Sequence, residues 1–157
     1  MRLLPEKPFP PYVFIPGVNP HPKKEGGYRE GIPEPVATQV EREHPEQNEF
    51  FNYALDLFNH GYFWESHVYF EALWNAHGRV GSAADFFKGM IKLGAAGVKV
   101  SLKQTSNAVD HYLRARELFS IVMDEESEVF LGINLREIIQ QIDQRALTQG
   151  LLISFST

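Results

Sequence analysis

Phe63-Trp64-Glu65-Ser66-His67-Val68-Tyr69-Phe70-Glu71-Ala72-Leu73-Trp74-Asn75-Ala76 spaces its apolar residues by three and four, which is the period of a helix and not of a strand. At 100° per residue, Phe63, Ser66, Phe70 and Leu73 form one stripe. Trp64, His67, Glu71 and Trp74 form the neighbouring one, within about 80° of each other. An imidazole and a carboxylate therefore lie inside the apolar half of this helix. Gly61 precedes it and Gly78 follows it, so the segment is bounded by residues that release the chain from helical geometry.

The same spacing continues on both sides. It predicts a first helix from about Glu46 to His60, a third from Ser82 as N-cap to about Lys103, a fourth from about Asn107 to Met123, and a fifth from Leu135 to Thr148. Asn134 is the expected N-cap of the fifth, and Gly150 follows its end. Short connections between amphipathic helices favour antiparallel neighbours, so the expected fold is all-α: a compact bundle of about five antiparallel helices with no sheet. Gly94, Ala95, Ala96 and Gly97 leave room for another helix to approach the third closely. Gly61-Tyr62, Ser66 and Phe70 are similar to part of a tetratricopeptide helix pair, and Ala108, Tyr112 and Ala115 repeat some of it. Two imperfect copies fall short of the three that a stable array needs.

All ten prolines lie between Pro5 and Pro45. Proline removes a backbone donor and keeps the preceding residue out of helical geometry, so residues 1–45 are expected to form a Pro-rich extended arm. Residues 46–157 are expected to form the helical domain, with one domain in total. Six basic and six acidic residues balance the charge of the arm. Its Phe9, Tyr12, Val13, Phe14 and Ile15 are too apolar for a free tail, and a strip from Phe9 to Ile15 is expected to lie on the helices.

Composition narrows the function classes. The 157 residues contain no Cys, which excludes disulfides, thiolate metal sites, iron–sulfur clusters and Cys nucleophiles. A formal charge of −5 disfavours a nucleic-acid partner, because phosphate binding draws on clustered Lys and Arg. Lys88, Lys92, Lys99 and Lys103 lie along one stripe and read as a solvated face. No run approaches 18 apolar residues and Met1 to Pro11 lacks the apolar region of a signal peptide, so no membrane association and a cytoplasmic location are expected. Twelve Phe residues suggest more aromatic surface than one core absorbs, from which a homodimer is expected.

The candidate site is the pair His67 and Glu71. An i, i+4 spacing puts imidazole and carboxylate within reach of each other or of one ion, and burial between Trp64 and Trp74 would act on the protonation of both. Such a pair suits general acid–base work, metal ligation, or a buried contact that fixes helix packing. Two ligands are too few for a metal, so a third must come from elsewhere, and His21 or His111 could supply it. Pro20-His21-Pro22 is a rigid turn able to present His21 over the second helix. Glu65 is turned about 200° from His67 and sits in the first turn, where the helix dipole favours a carboxylate. His44, His60 and His77 lie near helix ends and are expected to cap or face water. Glu125, Glu126 and Glu128 read as an exposed acidic turn.

The stretch Leu57-Phe58-Asn59-His60-Gly61-Tyr62-Phe63-Trp64-Glu65-Ser66-His67-Val68-Tyr69-Phe70-Glu71-Ala72-Leu73-Trp74 resembles the signature of the domain-of-unknown-function family number 309. That signature is a Gly-aromatic turn, then Glu, His and a Glu-x-x-Trp ending. Phe87-Lys88-Gly89-Met90-Ile91-Lys92-Leu93-Gly94-Ala95 is similar to the family's Gly-led third helix. Pro16-Gly17 and Pro20-His21-Pro22 resemble its Pro-His-Pro segment, and the likeness spans roughly residues 10 to 120. It implies a small all-helical fold and transfers no activity. Val68 stands where relatives commonly carry an acid and Lys92 where they carry Gln; both changes weaken a carboxylate-rich metal site.

Two functional readings follow. In one, the chain binds a small-molecule ligand or a partner through a pocket around His67 and Glu71, with Trp64, Glu65, Trp74, His21 and Lys92 as ligand contacts. In the other it is a small hydrolase-like enzyme: Glu71 polarises His67, the imidazole activates water, and His21 or a divalent metal held by His67, Glu71 and His21 stabilises charge.

Overall fold

A computed structural model describes residues 1–145. A 3-10 turn at Pro45–Gln47 leads into α1 (Glu49–Asn59), followed by α2 (Phe63–Ala76), α3 (Ser82–Ser101), α4 (Thr105–Glu125), the short strands β1 (Val129–Phe130) and β2 (Ile133–Asn134), and α5 (Leu135–Arg145). The fold is all-α, a five-helix bundle in which α2 packs on α1 and α3, α4 on α3, and α5 on α4. The expectation of no sheet is corrected by β1 and β2. They form one antiparallel ladder that pairs Val129 with Asn134 and Phe130 with Ile133, reversed by Leu131 and Gly132, both at positive φ.

The helix ends follow local chemistry. The Asn48 side chain accepts from Phe51 N at 3.0 Å and caps α1, so that helix begins three residues later than its apolar pattern suggests. Asn134 Oδ1 accepts from Glu137 N at 3.0 Å, as expected of the α5 cap. Ser82 is the first residue of α3 rather than its cap, which is Gly81, and its hydroxyl donates to Glu125. The expected end of the fifth helix at Thr148 and Gly150 falls outside the described residues.

The core centres on Phe86, whose ring lies 6.0, 5.1, 5.9 and 5.7 Å from those of Phe51, Phe87, Phe119 and Phe130. Phe51, Phe70, Phe86, Phe87 and Phe119 are completely buried, while Phe9 and Phe14 pack the arm onto the bundle. Among the described residues no Phe is exposed.

Glycine sets the spacing of α3. A Cβ on Gly97 would stand 2.4 Å from the ring of Phe63, and one on Gly89 would stand 2.7 Å from that of Phe119. Gly97→Ala is expected to cost about 1–3 kcal/mol through overpacking, against a helix-propensity gain of about 1 kcal/mol. Urea denaturation measures the difference, and a more stable variant would contradict the close approach.

The arm has no helix or strand before Pro45, yet it is docked along its length. Asp56, 1% exposed, accepts from Leu3 N at 2.7 Å and Leu4 N at 2.8 Å, which binds the start of the arm to α1. Leu4 joins Tyr53 and Leu57 in a second apolar cluster. Phe9 then stacks on Tyr62 at 4.7 Å, and Phe14 meets the edge of Trp64 at 5.4 Å. Further on, Gln39 Nε2 donates to Ala76 O at 3.1 Å, and Arg42 forms a bidentate pair with Glu126 at 2.8 and 3.0 Å. The acidic turn is thus an anchor for the arm. Helix α2 lies between two partners: the bundle covers the Ser66, Phe70 and Leu73 stripe, and the arm passes over much of the rest.

Candidate functional site

The arm does not seal α2. Between them lies a half-open cleft of about 580 Å³, lined by His21, Lys23, Glu34 and Pro35 of the arm and by Trp64, His67, Val68, Glu71, Ala72 and Asn75 of α2. The helical spacing puts Trp64, His67, Glu71 and Asn75 on one wall, and the Pro20-His21-Pro22 turn builds the other. Phe14, His21, Trp64 and His67 form an aromatic chain: His21 to Trp64 is 5.2 Å and Trp64 to His67 is 5.5 Å between ring centroids, all edge-on.

Hydrogen bonds set the two imidazoles in opposite senses. His67 Nδ1 lies 2.6 Å from Trp64 O. A carbonyl can only accept, so Nδ1 carries the proton, and in the neutral ring Nε2 is an acceptor. His21 Nδ1 instead accepts from Lys23 N at 3.2 Å, so its neutral ring carries the proton on Nε2. Burial holds the His21 pKa below its ordinary value, and the charges of Lys24 and Lys23 push the same way. An ion pair between Lys23 and Glu34 closes the base of the arm loop beside this wall.

The expected pair on α2 is present but solvent-facing. His67 Nε2 and Glu71 Oε2 are 3.8 Å apart, with side chains 30% and 53% exposed. The separation is too long for a hydrogen bond. Burial between two tryptophans is corrected, because Trp64 lines the cleft whereas Trp74 turns to the main core with Arg79 5.1 Å over its ring. Lys92 does not reach the cleft either: it faces α4, where its charge, after burial, lowers the His111 pKa. No group of three His, Asp or Glu side chains able to hold a metal ion is assembled among the described residues.

Glu65 is on the far side of α2 from His67, as its position in the helix requires, but its partners come from the arm and not from the helix dipole alone. The residue is 5% exposed and its carboxylate accepts from the Tyr28 hydroxyl. Its Oε1 lies 3.3 Å from Nη1 of Arg29, itself 6% exposed, in an ion pair whose Nη1 makes no hydrogen bond. Burial raises the Glu65 pKa, opposed by Tyr28 and Arg29. Glu65, Tyr28 and Arg29 border a second cleft of about 440 Å³ with Phe9, Tyr53 and Tyr69. Tyr28 and Arg29 carry no periodic or motif signal that marks them in the sequence.

His77, expected to cap or face water, is half-buried, and its Nε2 accepts from Val40 N at 3.0 Å. Burial lowers its pKa, and Arg42 adds to the effect. Above the ordinary value of 6.5 both folded and unfolded rings are neutral. Below it the unfolded ring takes a proton first, so this contribution to stability is lost as pH falls through the lowered folded value. His77→Gln is expected to flatten the decline in urea midpoint between pH 7 and 5, leaving the part due to His21 and His111, which shift the same way. Glu65, with a raised pKa, acts in the opposite sense: its contribution is present below 4.5 and lost as pH rises through the folded value.

Compared with known proteins, residues 51–110 match the family described as Domain of unknown function (DUF309). The match contains all of α2 and α3, and the arm segments that also resembled the family lie outside it. No curated protein matches the chain.

Proposed function

We propose, for a chain whose residues 51–110 belong to DUF309, that it binds a small planar polar molecule in the cleft between α2 and the arm. The observation that carries this reading is the opposed hydrogen-bonding sense of the two imidazoles. His21 offers an Nε2 donor and His67 an Nε2 acceptor, on either side of Trp64. A carboxamide or lactam presents the complementary acceptor and donor, its ring packs on the indole edge, and Glu71 takes a further donor.

Geometry favours binding over the hydrolase-like alternative. A carboxylate that activates an imidazole base holds its Nδ1–H and leaves Nε2 for the reacting proton. Here the Trp64 carbonyl holds Nδ1 and Glu71 approaches Nε2. The test is calorimetric titration with a panel of planar carboxamides and lactams, including nicotinamide and 2-pyridone. Saturable binding that falls at least tenfold in His67→Ala is expected. Equal binding by the variant would place the compounds elsewhere.

A further inference from the structure

The loop at residues 21–34 that carries His21 is internally tight. Arg29 N donates to Pro22 O at 2.7 Å and Lys24 N to His21 O at 3.1 Å. A Cβ on Gly27 would stand 2.2 Å from His21 O and 2.3 Å from Pro22 O, so the loop closes on a residue without a side chain. Lys23 and Glu34 pair across its base, and Arg29 Nη2 reaches Glu34 at 3.9 Å. The loop therefore behaves as one piece, and wherever its middle is held its His21 end is held too.

That middle is held at Glu65. Tyr28 and Arg29 approach the two oxygens of one carboxylate. Tyr28 also meets Tyr12 edge-on at 4.9 Å, and the Tyr12 hydroxyl donates to Pro20 O at 2.7 Å, one residue before His21. A continuous chain of contacts thus runs from Glu65 on one side of α2, through Tyr28 and Tyr12, to the turn that presents His21 on the other.

We propose that Tyr28, Glu65 and Arg29 form a latch that positions His21, so that three residues which do not line the cleft determine whether its second wall is built. The inference rests on the binding reading for its consequence, since a cleft without His21 lacks its donor, but the positioning itself is a property of the free protein. Released from Glu65, the loop lifts as a unit and leaves Trp64, His67 and Glu71 on an open helix face. Glu65 acts at a distance through the arm and touches no ligand.

The experiment follows the imidazole proton signals of the full-length chain in Arg29→Met and in the milder Tyr28→Phe. In the intact protein the ring currents of Trp64 and Phe14 are expected to displace the His21 ring signals from ordinary imidazole positions. Both variants are expected to lose that displacement, fully in Arg29→Met and in part in Tyr28→Phe, while His67 keeps its proton on Nδ1. Folded variants whose His21 signals stay at wild-type positions, whatever their melting temperatures, would overturn the latch. If Arg29→Met does not fold, Tyr28→Phe decides by the same criterion. Because no ligand is added, the latch stands or falls apart from the binding reading: a freed His21 in a protein that binds no carboxamide supports the latch and removes the ligand.

Discussion

A chain lacking residues 1–35 is expected to be less stable than the full chain by about 3–5 kcal/mol. Leu4 is 8% exposed and joins Tyr53 and Leu57, and full burial of such a side chain is worth roughly 1.5–3 kcal/mol. Phe9, Tyr12 and Phe14 are half-covered, adding about half as much each on the same scale. Val68 and Tyr53, buried in the full chain, lose part of their cover. The backbone entropy regained by freeing the arm offsets part of this gain. Glu65 would return to water, so no buried charge is orphaned. Urea and thermal denaturation of the truncated chain measure the result, and an unchanged midpoint would mean the arm contributes nothing.

A single substitution in the latch acts differently, because the arm stays while its counter-ion goes. Arg29→Met leaves Glu65 facing an apolar side chain, and breaking a buried pair from one side costs about 3–5 kcal/mol. Glu65 can reduce that cost by taking a proton, a response its burial already favours. The destabilisation relative to wild type is therefore expected to be largest near pH 8 and smaller near pH 5. Adding Glu65→Gln removes the charge and should recover most of the loss, since uncharged replacement of a buried pair is often close to neutral. A double-mutant cycle at both pH values checks this. Coupling near zero would show that the two side chains do not depend on each other.

Much of the fold was legible because α2 obeys local rules. Its bounds, Phe63 to Ala76, follow from apolar spacing between two glycines, and the docking of the arm followed from Phe9 to Ile15 being too apolar for solvent. The start of α1 was misplaced because Pro45 and Asn48 build a separate turn and cap before the helix proper. The ladder at β1 and β2 has two residues on each strand, too few for an alternating pattern. In the site, i, i+4 spacing correctly brought His67 and Glu71 to one face, but exposure is a tertiary property: the arm approaches that face and stops short, leaving a cleft where the spacing suggested burial between two tryptophans. Trp74 entered through helical spacing and Lys92 through the family comparison, and neither says which element a side chain meets in space. Arg29 and Tyr28 were invisible because their partner is 36 and 37 residues away in sequence and no periodicity links an extended loop to a helix.

His21 and His67 are expected to present opposite hydrogen-bonding senses to one ligand. A long-range proton–nitrogen correlation spectrum of the histidines, recorded near pH 8 while nicotinamide and 2-pyridone are titrated in, tests it most directly. His67 is expected to be protonated on Nδ1 and His21 on Nε2 in the free protein, with both Nε2 resonances moving together as a compound binds. The same tautomer in both rings, or signals that neither compound moves, would contradict it.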